Sequence, residues 1–149
     1  MIKVSSSFAL PLPPDRVFAA LVDPAVLQRC IPGCEALEEV APDVYEARLK
    51  IGVAGLRGSY RGRTEIKDKQ PPHAFALVFD GKGAPGFVRG RADVRLAAEG
   101  EGTRVTSDAE VQVGGLIASV GSRLIDAAAR KLADDFFRQL AVEIGATAK

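Results

Sequence analysis

Residues 56–69 read Leu56-Arg57-Gly58-Ser59-Tyr60-Arg61-Gly62-Arg63-Thr64-Glu65-Ile66-Lys67-Asp68-Lys69. Leu56, Gly58, Tyr60, Gly62, Thr64 and Ile66 share one side of a period-two pattern. Arg57, Ser59, Arg61, Arg63, Glu65, Lys67 and Lys69 occupy the other. Successive strand side chains point to opposite faces, so this is a strand with one apolar face and one charged, solvated face.

The same alternation extends in both directions. In 44–51, Tyr45, Ala47, Leu49 and Ile51 oppose Val44, Glu46, Arg48 and Lys50. In 73–80, Phe75, Leu77 and Phe79 oppose Ala74, Ala76, Val78 and Asp80. In 88–96, Val88, Gly90, Ala92, Val94 and Leu96 oppose Arg89, Arg91, Asp93 and Arg95. In 104–113, Val105, Ala109, Val111 and Val113 oppose Arg104, Thr106, Asp108, Glu110 and Gln112. With a further strand opening at Cys34, the turn residues of 70–72 and 99–102 make this one antiparallel meander. Upstream, 2–10 alternates as a strand, and Pro11, Pro13 and Pro14 end it. A helix is expected at about 13–22, where Pro14 and Asp15 suit the first turn, and a second short one from Asp23-Pro24 to Cys30. Downstream, from Gly114-Gly115 to about Gly145, there is no proline. Ile117, Val120, Leu124, Ala128, Leu132, Phe136, Leu140 and Ile144 step by three or four there. That predicts one helix of roughly 45 Å, long enough to cross the sheet.

One strand, two short helices, about six strands and one long helix make an α+β domain spanning 1–149, with the helix on one sheet face. Gly58, Gly62, Gly90 and Ala92 face a helix carrying Ala118, Gly121, Ala127 and Ala128. Small residues on both sides mean either close packing or an enclosed cavity.

Composition narrows the chemistry. The 149 residues include one His, two Cys, one Met and no Trp, and the net charge is +1. A globally basic nucleic-acid binder is disfavoured. A zinc site needs four N or S ligands, and only His73 could join Cys30 and Cys34. The pair Cys30-Ile31-Pro32-Gly33-Cys34 reads as two reduced thiols, one ending a helix and one opening a strand. Residues 1–8 lack a signal-peptide core and no stretch approaches 18 uninterrupted apolar residues, which points to the cytoplasm.

Element order and local strings together resemble the START-like, or helix-grip, superfamily and, within it, the CoxG family of carbon monoxide dehydrogenase. Asp23-Pro24 with Cys30-Ile31-Pro32-Gly33-Cys34-Glu35 resembles that family's "DP…CIPGCE" segment. Residues 111–125, VQVGGLIASVGSRLI, resemble its last strand and helix start. Phe136-Phe137 matches its paired aromatic, and Arg57-Gly58-Ser59-Tyr60-Arg61-Gly62 its Gly-rich strand. The resemblance implies seven antiparallel strands gripping a C-terminal helix over a hydrophobic cavity. It implies a non-catalytic accessory role beside a molybdenum hydroxylase of the carbon monoxide dehydrogenase type, and contact with a quinone-like acceptor at the inner face of the membrane. Two cysteines cannot ligate an iron–sulfur cluster, so the redox chemistry belongs to the partner. Many members carry a further C-terminal anchor, whereas this sequence stops at Ala146-Thr147-Ala148-Lys149, so transient membrane contact is expected rather than autonomous attachment.

On this reading the ligand-binding residues are Tyr60, Phe75, Leu77, Phe79, Phe87, Val111, Val113, Leu116, Val120, Leu124 and Ala128. Their periodicity alone says only that such residues are buried. Phe87 follows Gly81-Lys82-Gly83-Ala84-Pro85-Gly86, which lacks the order of a phosphate loop and reads as a flexible hairpin loop at the cavity mouth. His73 reads as a surface turn residue, and the pairs Glu38-Glu39 and Asp134-Asp135 as solvated. Residues 48–69 hold seven basic residues against two acidic, a local net of +5; residues 15–43 hold two against six, a net of −4. The basic stripe fits an anionic surface or partner, or cross-strand ion pairs with Asp108 and Glu110. The expected partners are the molybdenum hydroxylase, a lipophilic small molecule, the inner membrane and a second copy of the chain in a homodimer; no nucleic acid, metal or resident cofactor is expected.

Two other readings stay open. An enzyme of the superfamily's cyclase or hydrolase type, acting on a small aromatic or polyketide-like substrate, needs inward ionisable groups, and Tyr45, Tyr60 and Thr64 are the inward polar candidates. A plain docking module would have a cavity below about 300 Å³.

Overall fold

The structure, a computed structural model, describes residues 2–52 and 57–148, with side chains to Gly145. Leu56, placed on the apolar face by the alternation, and Lys149 lie outside the described residues. The elements are β1 (Ile2–Leu10), α1 (Pro14–Leu21), α2 (Pro24–Cys30), β2 (Cys34–Ala41), β3 (Val44–Ile51), β4 (Gly58–Gln70), β5 (Ala74–Gly83), β6 (Gly86–Glu99) and β7 (Gly102–Gly114). A 3₁₀ segment (Gly115–Val120) and α3 (Ser122–Ala148) follow. The strands form one antiparallel sheet in the order β1-β7-β6-β5-β4-β3-β2. This is the expected α+β helix-grip arrangement, with β2 to β7 as the meander and β1 added beside β7.

Local chemistry explains the entry into the meander. Pro14 and Pro24 occupy first turns, where a missing N–H costs nothing. The Asp23 carboxylate accepts the Ala25 N–H at 2.9 Å and caps α2. The turn after Cys30 is fastened to β3, because the Lys50 N–H donates to the Gly33 carbonyl at 2.8 Å. Gly33 has φ +76°, and a Cβ there would lie 2.1 Å from the Lys50 carbonyl oxygen, so only glycine fits. Cys30 is buried, Cys34 half-buried, and both are free thiols.

Two expectations need correction. Residues 81–86 are not a flexible loop: β5 runs to Gly83, β6 starts at Gly86, and these two pair directly across a two-residue turn. The C-terminal segment is not one helix either. Gly121 has φ +94°, outside the right-handed helical region, so the chain makes a 3₁₀ segment, breaks, and begins α3 at Ser122. The break resets the helical phase. The buried stripe becomes Ile125, Ala128, Phe137, Leu140 and Ile144 rather than one running through Val120 and Leu124. Leu116, Val120 and Leu124, expected inside, are 73 %, 39 % and 41 % exposed.

The inner face holds two apolar clusters. The larger joins Leu10, Val17, Phe18, Leu21, Tyr45, Ile66, Phe75, Val94, Leu96, Val105, Phe137 and Leu140. Its rings pack edge to face (Phe18–Phe75, 5.5 Å) or stacked (Phe8–Phe137, 5.0 Å). The smaller joins Ile51, Tyr60, Ile117, Ile125 and Ala128. The closest backbone neighbours of α3 are β1, α2 and the 3₁₀ segment, not the central strands β3 to β6. Space between helix and sheet is therefore left to side chains.

Candidate ligand-binding cavity

The strand register decides where that space stays empty. Ala47 of β3 pairs with Gly62 of β4, Gly62 with Gly81 of β5, and Gly81 with Val88 of β6. This cross-strand row puts three of the smallest side chains side by side on the inner face. Above it lies a cleft of ≈ 280 Å³. Its walls are Ile31, Leu37, Leu49, Ile51, Tyr60, Thr64, Phe79, Val88 and Leu132, with Ala47, Gly62 and Gly81 as its floor. Arg63 and Asp80 also border it. Each pairs across strands with charged neighbours on the outer face and is solvent-exposed, so they lend the cleft backbone, not charge.

Among the described residues, the side-chain hydroxyls at the walls are those of Tyr60 and Thr64. The Thr64 hydroxyl donates to the Val78 carbonyl at 3.2 Å. Burial pushes the Tyr60 phenol above its ordinary value, so it stays protonated through neutral pH. Tyr45, buried in the larger cluster, is pushed up by burial and then by Glu39. His73 is exposed in the turn before β5, with a cis Pro71–Pro72 bond beside it. Among the described residues, no three His, Cys, Asp or Glu side chains converge as a metal site would require.

Of the residues nominated from sequence, Tyr60 and Phe79 line the cleft. Val113 and Ala128 pack in the smaller cluster beside it. Val111 is half-buried in register with Gly90, over which the Phe79 ring lies. Phe75 and Leu77 belong to the larger cluster. Phe87 is not at a cavity mouth: it pairs with Lys82 on the outer face, lies against Gly114, and holds the Arg89 guanidinium 4.6 Å above its ring. Leu124 stands outside the cleft because α3 starts a new frame at Ser122, and Leu116 and Val120 lie on the exposed side of the 3₁₀ segment, whose buried residue is Ile117. Sequence reasoning misses Ile31, Leu37, Ala47, Leu49, Ile51, Gly62, Gly81, Val88 and Leu132 as lining residues. Alternation does put Ala47, Leu49, Ile51, Gly62 and Val88 on the inner face. The pairing of Gly62 with Gly81 is invisible so long as 81–86 reads as a loop.

In its inventory the cleft can hold an apolar, flat group and offers little to polarise or protonate it. The volume lies just under the roughly 300 Å³ at which small-molecule pockets begin, so a long ligand would keep part of itself outside. No described helix is long and apolar enough to cross a membrane.

Residues 7–145 match the family model for the carbon monoxide dehydrogenase subunit known as CoxG. Among solved structures, the chain is similar to a conserved protein from Geobacillus kaustophilus, with 34 % identity, a TM-score of 0.94, and coverage of 98 % of this chain and 97 % of that one. It is also similar in fold to a START superfamily protein from Mycobacterium smegmatis, at 12 % identity and TM-score 0.78, covering 97 % and 98 %. No curated protein sequence matches it.

Proposed function

The chain belongs to the CoxG family of carbon monoxide dehydrogenase, and from that premise we propose that it is a non-catalytic accessory protein that binds one lipophilic ligand, a quinone, for a molybdenum hydroxylase of the carbon monoxide dehydrogenase type. The observation that carries this is the apolar cleft over Ala47, Gly62 and Gly81. A quinone ring is flat and apolar on both faces, and the glycine floor admits a flat face closely. Phe79 and Val88 flank it, and Tyr60 brings one neutral phenol to the wall. A cleft of ≈ 280 Å³ takes the ring and leaves the tail to exit. Burial pushes both buried phenols up, so neither supplies a base near neutrality.

The exposed Leu116, Val120 and Leu124 support brief contact with a lipid surface, since exposed apolar side chains favour leaving water. They flank Ile117 and Ile125, which belong to the cluster closing the cleft. That placement supports ligand exchange with a bilayer at this end.

Titration calorimetry with a short-chain ubiquinone or menaquinone tests the reading. Dissociation constants at or below the micromolar range are expected, with a quinone in the lipid extract of the purified protein. Absence of binding at those levels overturns it. The volume also favours a second reading, a docking module whose partner, not a ligand, uses the fold. In that case quinones fail to bind while the dehydrogenase still does.

A further inference from the structure

The sheet's outer face is divided by its ion pairs. Toward β6, β7 and β1 the cations other than Arg89, which lies over the Phe87 ring, are matched: Arg95 meets Asp108 at 2.7 Å, Arg91 meets Asp68 at 2.9 Å, Arg104 meets Glu99 at 3.0 Å, and Lys3 meets Glu110 at 3.9 Å. Lys67 and Lys69 are matched too, by Glu65 and Asp43. One row is different. Arg48 of β3 pairs in register with Arg61 of β4, Arg61 with Lys82 of β5, and Lys82 with Phe87 of β6. Neighbouring strands are about 4.8 Å apart, so the backbone positions of three like-charged residues lie within about 10 Å. All three are exposed, and among the described residues none makes an ion pair. Like charges directly opposite each other across strands are destabilising. Among the described residues, carboxylates border the row only at its edges, Glu35 beside Arg48 and Glu46 and Asp80 from the next row, so the row itself keeps a local excess of positive charge that an opposite charge would offset.

We propose that this row is a docking surface for an acidic face of a partner protein; the inference rests on the accessory reading above and names the surface it uses. Two observations favour a protein over an anionic bilayer. The next row, Glu46, Arg63, Asp80 and Arg89, alternates in sign, which suits a patterned surface and works against a uniformly negative one. The row ends on Phe87, a half-buried ring under the Arg89 guanidinium, and Arg with an aromatic is the pairing enriched where interfaces carry most of their energy. The exposed leucines and valine suited to lipid lie on the 3₁₀ segment and the start of α3, not on this row.

The test is binding of the purified chain to the carbon monoxide dehydrogenase-type enzyme of the source organism, with the triple variant Arg48→Glu/Arg61→Glu/Lys82→Glu beside the wild type. Lys3→Glu/Arg123→Glu/Arg138→Glu changes the net charge equally elsewhere. The wild type is expected to bind, more weakly as salt rises. The row variant is expected to lose about a hundredfold in affinity, the control no more than about twofold, and quinone binding is unchanged in both. Binding that survives reversal of the row overturns this surface and leaves the accessory reading standing. No binding by the wild type overturns both. A row variant that keeps the enzyme but loses vesicles of anionic phospholipid assigns the row to lipid and overturns the proposal.

Discussion

At one end of the sheet's inner face Phe75, Val94, Leu96 and Val105 meet Phe18, Phe137 and Leu140, and the space is full. At the other, Ala47, Gly62 and Gly81 meet Leu132 and Ile31 across a gap of ≈ 280 Å³. Both ends carry the same period-two alternation and the same antiparallel pairing. What separates them is side-chain volume, together with Val17, Phe18 and Leu21 of α1, which pack on the full end only. Interiors pack to crystal-like density when the facing residues can fill them, and an unfilled site loses contacts outright. The stability centre and the proposed ligand site therefore fall at different ends of one sheet, and each can be perturbed without the other.

The largest effect is expected at the full end. Phe75→Ala removes a ring that is 3 % exposed and packed edge to face on Phe18. It should cost about 3–5 kcal/mol in urea unfolding, with quinone affinity retained in whatever fraction folds. A loss below about 1 kcal/mol would show that the full end is not the stability centre.

At the hollow end the opposite substitution is informative. A Cβ at Gly81 would meet its nearest neighbours, the Arg61 and Val88 carbonyl oxygens, at 3.9 Å, which is ordinary contact. Gly81→Leu therefore fits the backbone, and its side chain grows into the cleft. Quinone affinity should fall at least about tenfold by calorimetry while the melting temperature holds or rises, since glycine weakens a strand interior. Unchanged affinity would place the ligand elsewhere.

Cys30 probes the full end chemically. Burial, and then the Glu143 carboxylate, push its thiol from 9.0 up to about 11, with Arg29 opposing. The folded state thus prefers the protonated thiol. That preference is present in full below about pH 9 and lost as pH rises toward 11. The stability gap between wild type and Cys30→Ala should narrow over that window in urea titrations. At pH 8 iodoacetamide should modify half-buried Cys34 before Cys30. Equal labelling of the two in the native protein would mean that the α2 end opens freely.

Much of this division is legible in the chain. Alternation locates the faces of β1 and of most of β3 to β7, Pro and Asp place the two short helices, and the glycines at 58, 62 and 90 raise the choice between close packing and a cavity. That choice is decided by register, which no single strand contains. Gly90 is covered by the Phe79 ring, whereas Gly62 pairs with Gly81 and stays open. The same limit hides Phe87, whose face depends on how far β6 extends, and the ion pairs, which couple strands distant in sequence.

The smallest effect tests the helix break. A periodicity of three and four runs smoothly from Ile117 through Leu124 to Ile144, yet the positive φ at Gly121 separates two helical frames. Adjacent residues on a helix point about 100° apart, so a shift of one position exchanges inside for outside. Leu124 is 41 % exposed and its neighbour Ile125 3 %. Leu124→Trp should change stability by no more than about 0.5 kcal/mol and leave quinone affinity unchanged, as a surface substitution does. Ile125→Trp, in the cluster that closes the cleft, should cost about 1–3 kcal/mol through overpacking. If Leu124→Trp were the damaging member of the pair, the helix would run unbroken through Gly121, and the apolar side chains proposed to meet lipid would instead be part of the interior.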